Sequence, residues 1–183
     1  MSAADVLEVL ERLDAAGIQW WIDGGWGVDA LLGEETRPHD DLDLVVERKE
    51  LDRLPALFPR FARVDQDWWP ARFVLGDHAG RQIDFHPVVF DEGGDGWQEQ
   101  IDGTRTRYPA AGLRGRGRIG GREVRCITAE LQLRHHDYAT GSPDDVDWQD
   151  VRLLSERFGL VAPTVYAKRP GFVEPKRKRA AVA

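Results

Sequence analysis

Residues 22–46 read IDGGWGVDALLGEETRPHDDLDLVV, and the stretch DLDLVVE (41–47) within and just beyond them constrains the fold most. Side chains alternate along a strand, so Leu42, Leu44 and Val46 share one face while Asp41, Asp43 and Val45 share the other. A sheet buries the leucine face. The other face then carries two carboxylates whose Cα atoms are roughly 6.5–7 Å apart. Two bare carboxylates at that spacing repel each other. A divalent cation removes the repulsion, and Mg²⁺ commonly takes one or two carboxylates together with substrate phosphates. Asp-x-Asp on a strand often marks nothing more than a solvent-facing side. What precedes it changes the balance.

Gly24-Gly25 follow a short apolar strand, IQWWI (18–22), and lead into WGVDALLG, about two helical turns starting at Trp26 and stopped by Gly33. Backbone N–H groups at such a turn, ahead of a helix N-terminus, make an anion site. Thus a phosphate cradle and a pair of metal-binding carboxylates are expected on adjacent strands. No Gly-Lys-Ser/Thr follows the glycines, and the G-x-G-x-x-G spacing is absent, so neither a Walker loop nor a Rossmann fingerprint fits. RQIDFHP (81–87) repeats the alternation: Ile83 and Phe85 face one way, Gln82, Asp84 and His86 the other. If this strand neighbours 41–47, Asp84 joins the pair. Three carboxylates at one spot suit two metal ions about 3.5–4 Å apart.

The remaining chain predicts an α+β fold, one mixed sheet with flanking helices and a helical C-terminal part. Ser2 with Asp5 resembles a capping box, and Val6, Leu7, Leu10 and Leu13 follow at helical spacing. ARFVLGD and RQIDFHPVVF flank a glycine turn as a hairpin, REVRCI is a strand, and AELQLRHHDYA and DDVDWQDVRLLSERFG are helices. Residues 91–121 are rich in Gly and Arg and weakly patterned. The expected organisation is a catalytic domain over 1–110, a helical part over 111–160 and a disordered basic tail over 161–183.

Net charge is −7, but from Lys168 onward six Lys or Arg face one Glu, so the residues before carry −12. An acidic body disfavours nucleic acid as main partner and suits cationic small molecules and divalent metals. The tail sequence PKRKR reads as a solvated cluster. No apolar run approaches the ~20 residues of a membrane span, and the acidic N-terminal turns lack the basic region of a signal peptide. The single cysteine, Cys126, permits no internal disulfide, so a reducing cytoplasm is expected. VRCIT reads as a buried strand end and not as a nucleophile. RHHD (134–137) invites zinc with Cys126, but adjacent helical histidines diverge by about 100° and do not form an i, i+4 ligand pair.

The segments WIDGGWGVDALLG, HDDLDL, IDFHP and RCITAELQL together carry a resemblance. Gly-Gly after a strand, Asp-x-Asp on the next and a later single Asp resemble the DNA polymerase β-like nucleotidyltransferase superfamily. More closely, the segments are similar to the small lincosamide nucleotidyltransferases and the aminoglycoside 2″-nucleotidyltransferases, from about Trp21 to Asp150. The resemblance implies metal-dependent transfer of AMP, or another NMP, from NTP to a hydroxyl of a small amine-bearing antibiotic, with pyrophosphate released. It implies Asp41 and Asp43 as ligands of Mg²⁺, two ions being expected. It makes Asp84 the third carboxylate and candidate base, and Gly24-Gly25 the triphosphate turn. Arg37 and His39 are further candidates for the phosphates of the nucleotide, expected to be ATP. Asp23, His86, Trp68, Trp69, Asp137 and Tyr138 are weaker candidates, each with an ordinary turn or packing role as the rival. Two other functions compete: a toxin-like transferase acting on tRNA or protein, and a non-catalytic nucleotide-binding module.

Overall fold

A capping box starts helix α1 (Ala3–Ala15): Asp5 N–H donates to Ser2 Oγ at 3.3 Å, and Ser2 N–H donates to Asp5 Oδ2 at 2.8 Å. The helix buries Val6, Val9, Leu10 and Leu13 on one face, the 3.6-residue period of its sequence. Strand β1 (Trp20–Ile22), helix α2 (Gly24–Leu32) and strand β2 (Asp41–Glu47) follow, then a 3₁₀ turn and a short helix α3 (Leu54–Leu57). Strands β3 (Ala62–Arg63), β4 (Phe73–Gly76), β5 (Gln82–Phe90), β6 (Gly96–Glu99) and β7 (Arg105–Tyr108) come next. Strands β8 (Gly115–Ile119) and β9 (Arg122–Cys126) and helices α4 (Ala129–His135) and α5 (Asp145–Phe158) complete the order. The structure, a computed structural model, describes residues 1–64, 68–137 and 144–173.

The sheet runs β3-β4-β5-β2-β1-β9-β8, with β6 and β7 built onto the far half of β5. It is mixed: β2 pairs parallel with β5 and β1 parallel with β9, while the other pairs are antiparallel. One face forms the main core. Leu42, Leu44 and Val46 of β2 and Ile83 and Phe85 of β5 pack there with α1 residues and Trp26. On the other face, Val45, Val88, Tyr108, Leu113, Ile127 and Leu131 form a smaller cluster. The alternation expected of 41–47 and 81–87 therefore holds, and so does the β4–β5 hairpin.

Two compact units divide the chain, Met1–Gln132 and Leu133–Ala183. This differs from the expected boundary after residue 110. Residues 115–126 are not part of a helical region, because β8 and β9 form a hairpin whose Cys126 pairs with Ile22. The stretch 91–121, which carries little periodicity, yields β6, β7 and β8. Within the second unit, α5 opens on a capping box from Asp144 and ends at Gly159 in the left-handed region (φ 67°). Trp148 stacks on the fully buried Tyr166, whose hydroxyl donates to the His136 carbonyl at 3.1 Å. The tail expected to be disordered from 161 is ordered in its first part, where a 3₁₀ turn (Thr164–Tyr166) buries Tyr166 and Ala162; from 174 onward it lies outside the described residues, and so does Tyr138.

Candidate active site

The parallel pairing of β2 with β5 places Asp43 opposite Asp84 and Asp41 opposite Gln82. Adjacent strands lie about 4.8 Å apart, so the two carboxylates stand side by side on the face away from the main core. Asp84 is 3% exposed, Asp43 half-buried and Asp41 exposed at the strand's start. Burial pushes the Asp84 carboxyl up to about 6; the His86 imidazole offsets part of that rise and the nearby Asp43 charge adds to it. Asp41 is raised too, first by partial loss of hydration at its carboxyl and then by the Asp43 charge. Asp84 Oδ2 accepts from Arg72 Nη1 at 2.9 Å, and the Arg72 guanidinium lies 4.6 Å over the Trp68 ring. Asp84 Oδ1 is buried with no hydrogen-bond partner.

The helix that faces these carboxylates begins earlier than its hydrophobic pattern suggests. Asp23 is the N-cap, its Oδ1 accepting from Gly24 N–H at 2.8 Å, and Gly24 and Gly25 are the first helical residues and not a preceding turn. The two glycines are there for space. Gly24 has φ +56°, and a Cβ on it would stand 2.1 Å from Asp43 Oδ2. A Cβ on Gly25 would stand 2.4 Å from Arg37 Nη2 and 2.6 Å from His39 Nδ1. The structure thus brings Asp43, Arg37 and His39 to the first turn of α2, where N–H groups have no acceptor inside the helix. His39 is buried; its Nε2 lies 2.5 Å from Asp29 Oδ2, and Asp29 Oδ1 also accepts from Thr36 N–H and Oγ1. Only the Nδ1 edge of His39 faces Gly25.

His86 stands among three carboxylates. Its Nε2 is 3.3 Å from Asp43 Oδ1 and 3.9 Å from Asp84 Oδ1, and its Nδ1 is 3.6 Å from Asp23 Oδ2. Burial alone would lower its pKa, but hydrogen bonds and charge from Asp23 and Asp43 push it up to about 10. Tyr108, fully buried on β7, donates to Asp23 Oδ2 at 3.1 Å and meets His86 Nδ1 at 3.2 Å. Tyr108 had no signal in the sequence, because β7 lies in the weakly patterned stretch. Asp29 and Arg72 were also missed; each is recognisable only through its partner, His39 or Asp84.

Among the described residues, the group of side chains able to hold a metal ion is Asp43, Asp84 and His86, with ligand atoms all within 4.8 Å of one another. Asp41 shares their face but is outside that group. A buried carboxylate oxygen without a partner, beside a second carboxylate, fits a divalent cation. Cys126 is fully buried, its thiol pushed up to about 12 by that burial, which removes it as a nucleophile. Trp68 and Trp69 are 46% and 45% exposed.

The sequence model of the aminoglycoside-2''-adenylyltransferase family matches residues 5–154, most of the chain. The chain belongs to that family. It is a nucleotidyltransferase. A lincosamide resistance protein of Staphylococcus haemolyticus is 23% identical over 153 residues, spanning 82% of this chain and 94% of its own length. A 2''-aminoglycoside nucleotidyltransferase of Klebsiella pneumoniae is 28% identical over 158 residues, spanning 85% of this chain and 84% of its own. Among solved structures, the lincomycin-bound lincosamide antibiotic adenylyltransferase LnuA matches with TM-score 0.70 at 22% identity, over 83% of this chain and 95% of that one. ANT(2'')-Ia in complex with adenylyl-2''-tobramycin matches with TM-score 0.65 at 24% identity, over 86% and 89%. At these identities the structural likeness establishes a shared nucleotidyltransferase fold. No helix among the described residues is long and apolar enough to cross a membrane.

Proposed function

We propose that this adenylyltransferase-family protein moves AMP from ATP to a hydroxyl of an amine-bearing antibiotic of the lincosamide or aminoglycoside class, releasing pyrophosphate in a Mg²⁺-dependent reaction. The observation that carries the reading is the β2–β5 register, which sets Asp43 beside Asp84 and against the first turn of α2. That first turn, with Arg37 and the Nδ1 edge of His39, receives the outer phosphates. Asp41 and Asp43 would hold a divalent cation. Bound at these carboxylates, it would neutralise triphosphate charge and activate the α-phosphate. The acceptor oxygen attacks the α-phosphorus in line and pyrophosphate leaves; Asp84, buried beside Asp43, either takes the hydroxyl proton or completes the metal site, the proton then passing to solvent. An acidic body favours a cationic acceptor over a nucleic acid.

The test is Mg²⁺-dependent pyrophosphate release by Asp41→Asn, Asp43→Asn and Asp84→Asn. Each should lose at least about 10²–10³-fold in turnover, the scale of removing one preorganised electrostatic group, with far-ultraviolet circular dichroism unchanged. Wild-type turnover in Asp43→Asn removes the assignment.

A further inference from the structure

Asp84 Oδ1 is buried with no hydrogen-bond partner, and His86 Nε2, buried 3.9 Å from it, has the Asp43 carboxylate at 3.3 Å as its neighbour. A buried polar atom is ordinarily bonded, so three ligand atoms gathered around the unsatisfied Asp84 oxygen leave a place for a cation. We propose that His86 Nε2 is a direct metal ligand, completing with Asp43 Oδ1 and Asp84 Oδ1 a two-carboxylate, one-imidazole site for a divalent cation. The proposal rests on reading these carboxylates as a metal centre and adds a nitrogen ligand to it.

Geometry supports the set. Ligand atoms held about 2.1 Å from a cation stand about 3.0–4.2 Å from one another, cis to trans. The separations from His86 Nε2 are 3.3 Å to Asp43 Oδ1 and 3.9 Å to Asp84 Oδ1, inside that window. The other ring nitrogen is already engaged. Nδ1 meets the Tyr108 hydroxyl at 3.2 Å, which donates onward to Asp23 Oδ2 at 3.1 Å. Metal-bound histidines are oriented in this way, by a second partner that fixes the tautomer with the proton on Nδ1 and the lone pair on Nε2. Ligation takes the neutral imidazole, so the cation displaces the imidazolium proton to solvent.

Two consequences follow for the site. Asp43 would then serve this position as well as any cation held with Asp41. The nitrogen donor also shifts metal preference. Mg²⁺ is a hard ion that keeps to oxygen, whereas the first-row divalent ions, of which Mn²⁺ binds such sites most weakly, accept an imidazole nitrogen more readily. The Asp43–Asp84–His86 position should therefore hold Mn²⁺ more tightly than Mg²⁺.

Mn²⁺ alone, added to the full chain, tests this. Pulsed electron paramagnetic resonance of the bound ion should show coupling to an imidazole nitrogen in the wild type and in Asp41→Asn. His86→Gln should lose that coupling and bind Mn²⁺ about tenfold or more weakly, with its fold checked by circular dichroism. Should His86→Gln not fold, selective ¹⁵N-histidine labelling of the wild type identifies the coupled nucleus instead. Mn²⁺ bound without nitrogen coupling, no Mn²⁺ binding at all, or equal affinity in a folded His86→Gln overturns the proposal. Metal-dependent turnover without nitrogen coupling would overturn the ligand and leave the transferase reading standing. Nitrogen coupling without turnover on any acceptor would support the ligand and count against the transferase reading.

Discussion

At the scale of single residues, the two glycines that open α2 decide how closely its first turn approaches the carboxylates. Gly-Gly before a helix implies a phosphate turn. In the fold Gly24 also makes room for Asp43, and Gly25 for Arg37 and His39. This separates two kinds of glycine. Gly33 has φ +83° with nothing within 4 Å of an added Cβ, whereas Gly24 has φ +56° with Asp43 Oδ2 at 2.1 Å. Gly33→Ala should therefore cost about 1–2 kcal/mol, the left-handed penalty, and leave turnover intact. Gly24→Ala should pay the same backbone penalty and also displace Asp43, so that most turnover is lost. Thermal melts paired with pyrophosphate release distinguish the two, and equal turnover in both would deny Gly24 its part in placing Asp43. The lone cysteine is buried, as its strand-end sequence VRCIT implies. With its thiol pushed up to about 12 and no exposure, Cys126 should be silent to a disulfide reagent in the folded protein and react once the chain is unfolded in denaturant.

At the scale of elements, alternation in β2 and β5 could be read directly, since each strand has one apolar and one acidic face. Their pairing could not. Nothing in either segment alone states that the two are parallel neighbours in the register Asp43 with Asp84, because that is decided by how α1, α2 and the later strands pack. The start of α2 was missed for a similar reason: glycine has poor helix propensity, and Asp23 capping and the fit against Asp43 override it. Tyr108 of β7 ties these elements together by joining Asp23, the cap of α2, to His86 of β5. Tyr108→Phe deletes the shared hydroxyl and should destabilise the fold by about 1–3 kcal/mol, the cost of depriving buried polar groups of a partner. Turnover should fall with it. Unchanged melting temperature and unchanged rate would show that this link positions nothing. His39→Ala similarly strips the buried Asp29 Oδ2 of its 2.5 Å partner and should lower stability by at least about 1–3 kcal/mol in denaturant titration.

At the scale of the whole molecule, the α+β class and the family follow from segments spread along the chain, but the internal boundary does not. The β8–β9 hairpin is built from Gly- and Arg-rich sequence, so its membership in the sheet is set by pairing with β1 and not by local hydrophobic pattern. The charge asymmetry was legible from composition and bears on the acceptor. Removing residues 174–183 takes away four Lys or Arg and one Glu. That truncation should leave melting temperature and small-acceptor turnover unchanged, whereas a tRNA acceptor would lose affinity steeply with the lost cations. The central claim, that this chain adenylylates a small amine-bearing antibiotic, is tested most directly by product mass. Purified protein with Mg²⁺ and each NTP should be incubated with panels of lincosamides and aminoglycosides, pyrophosphate followed and the acceptor weighed by mass spectrometry. The account predicts pyrophosphate release with ATP and a mass gain of one AMP on a member of one class, absent in Asp43→Asn. Metal-dependent ATP binding with no acceptor modified in either class would contradict it.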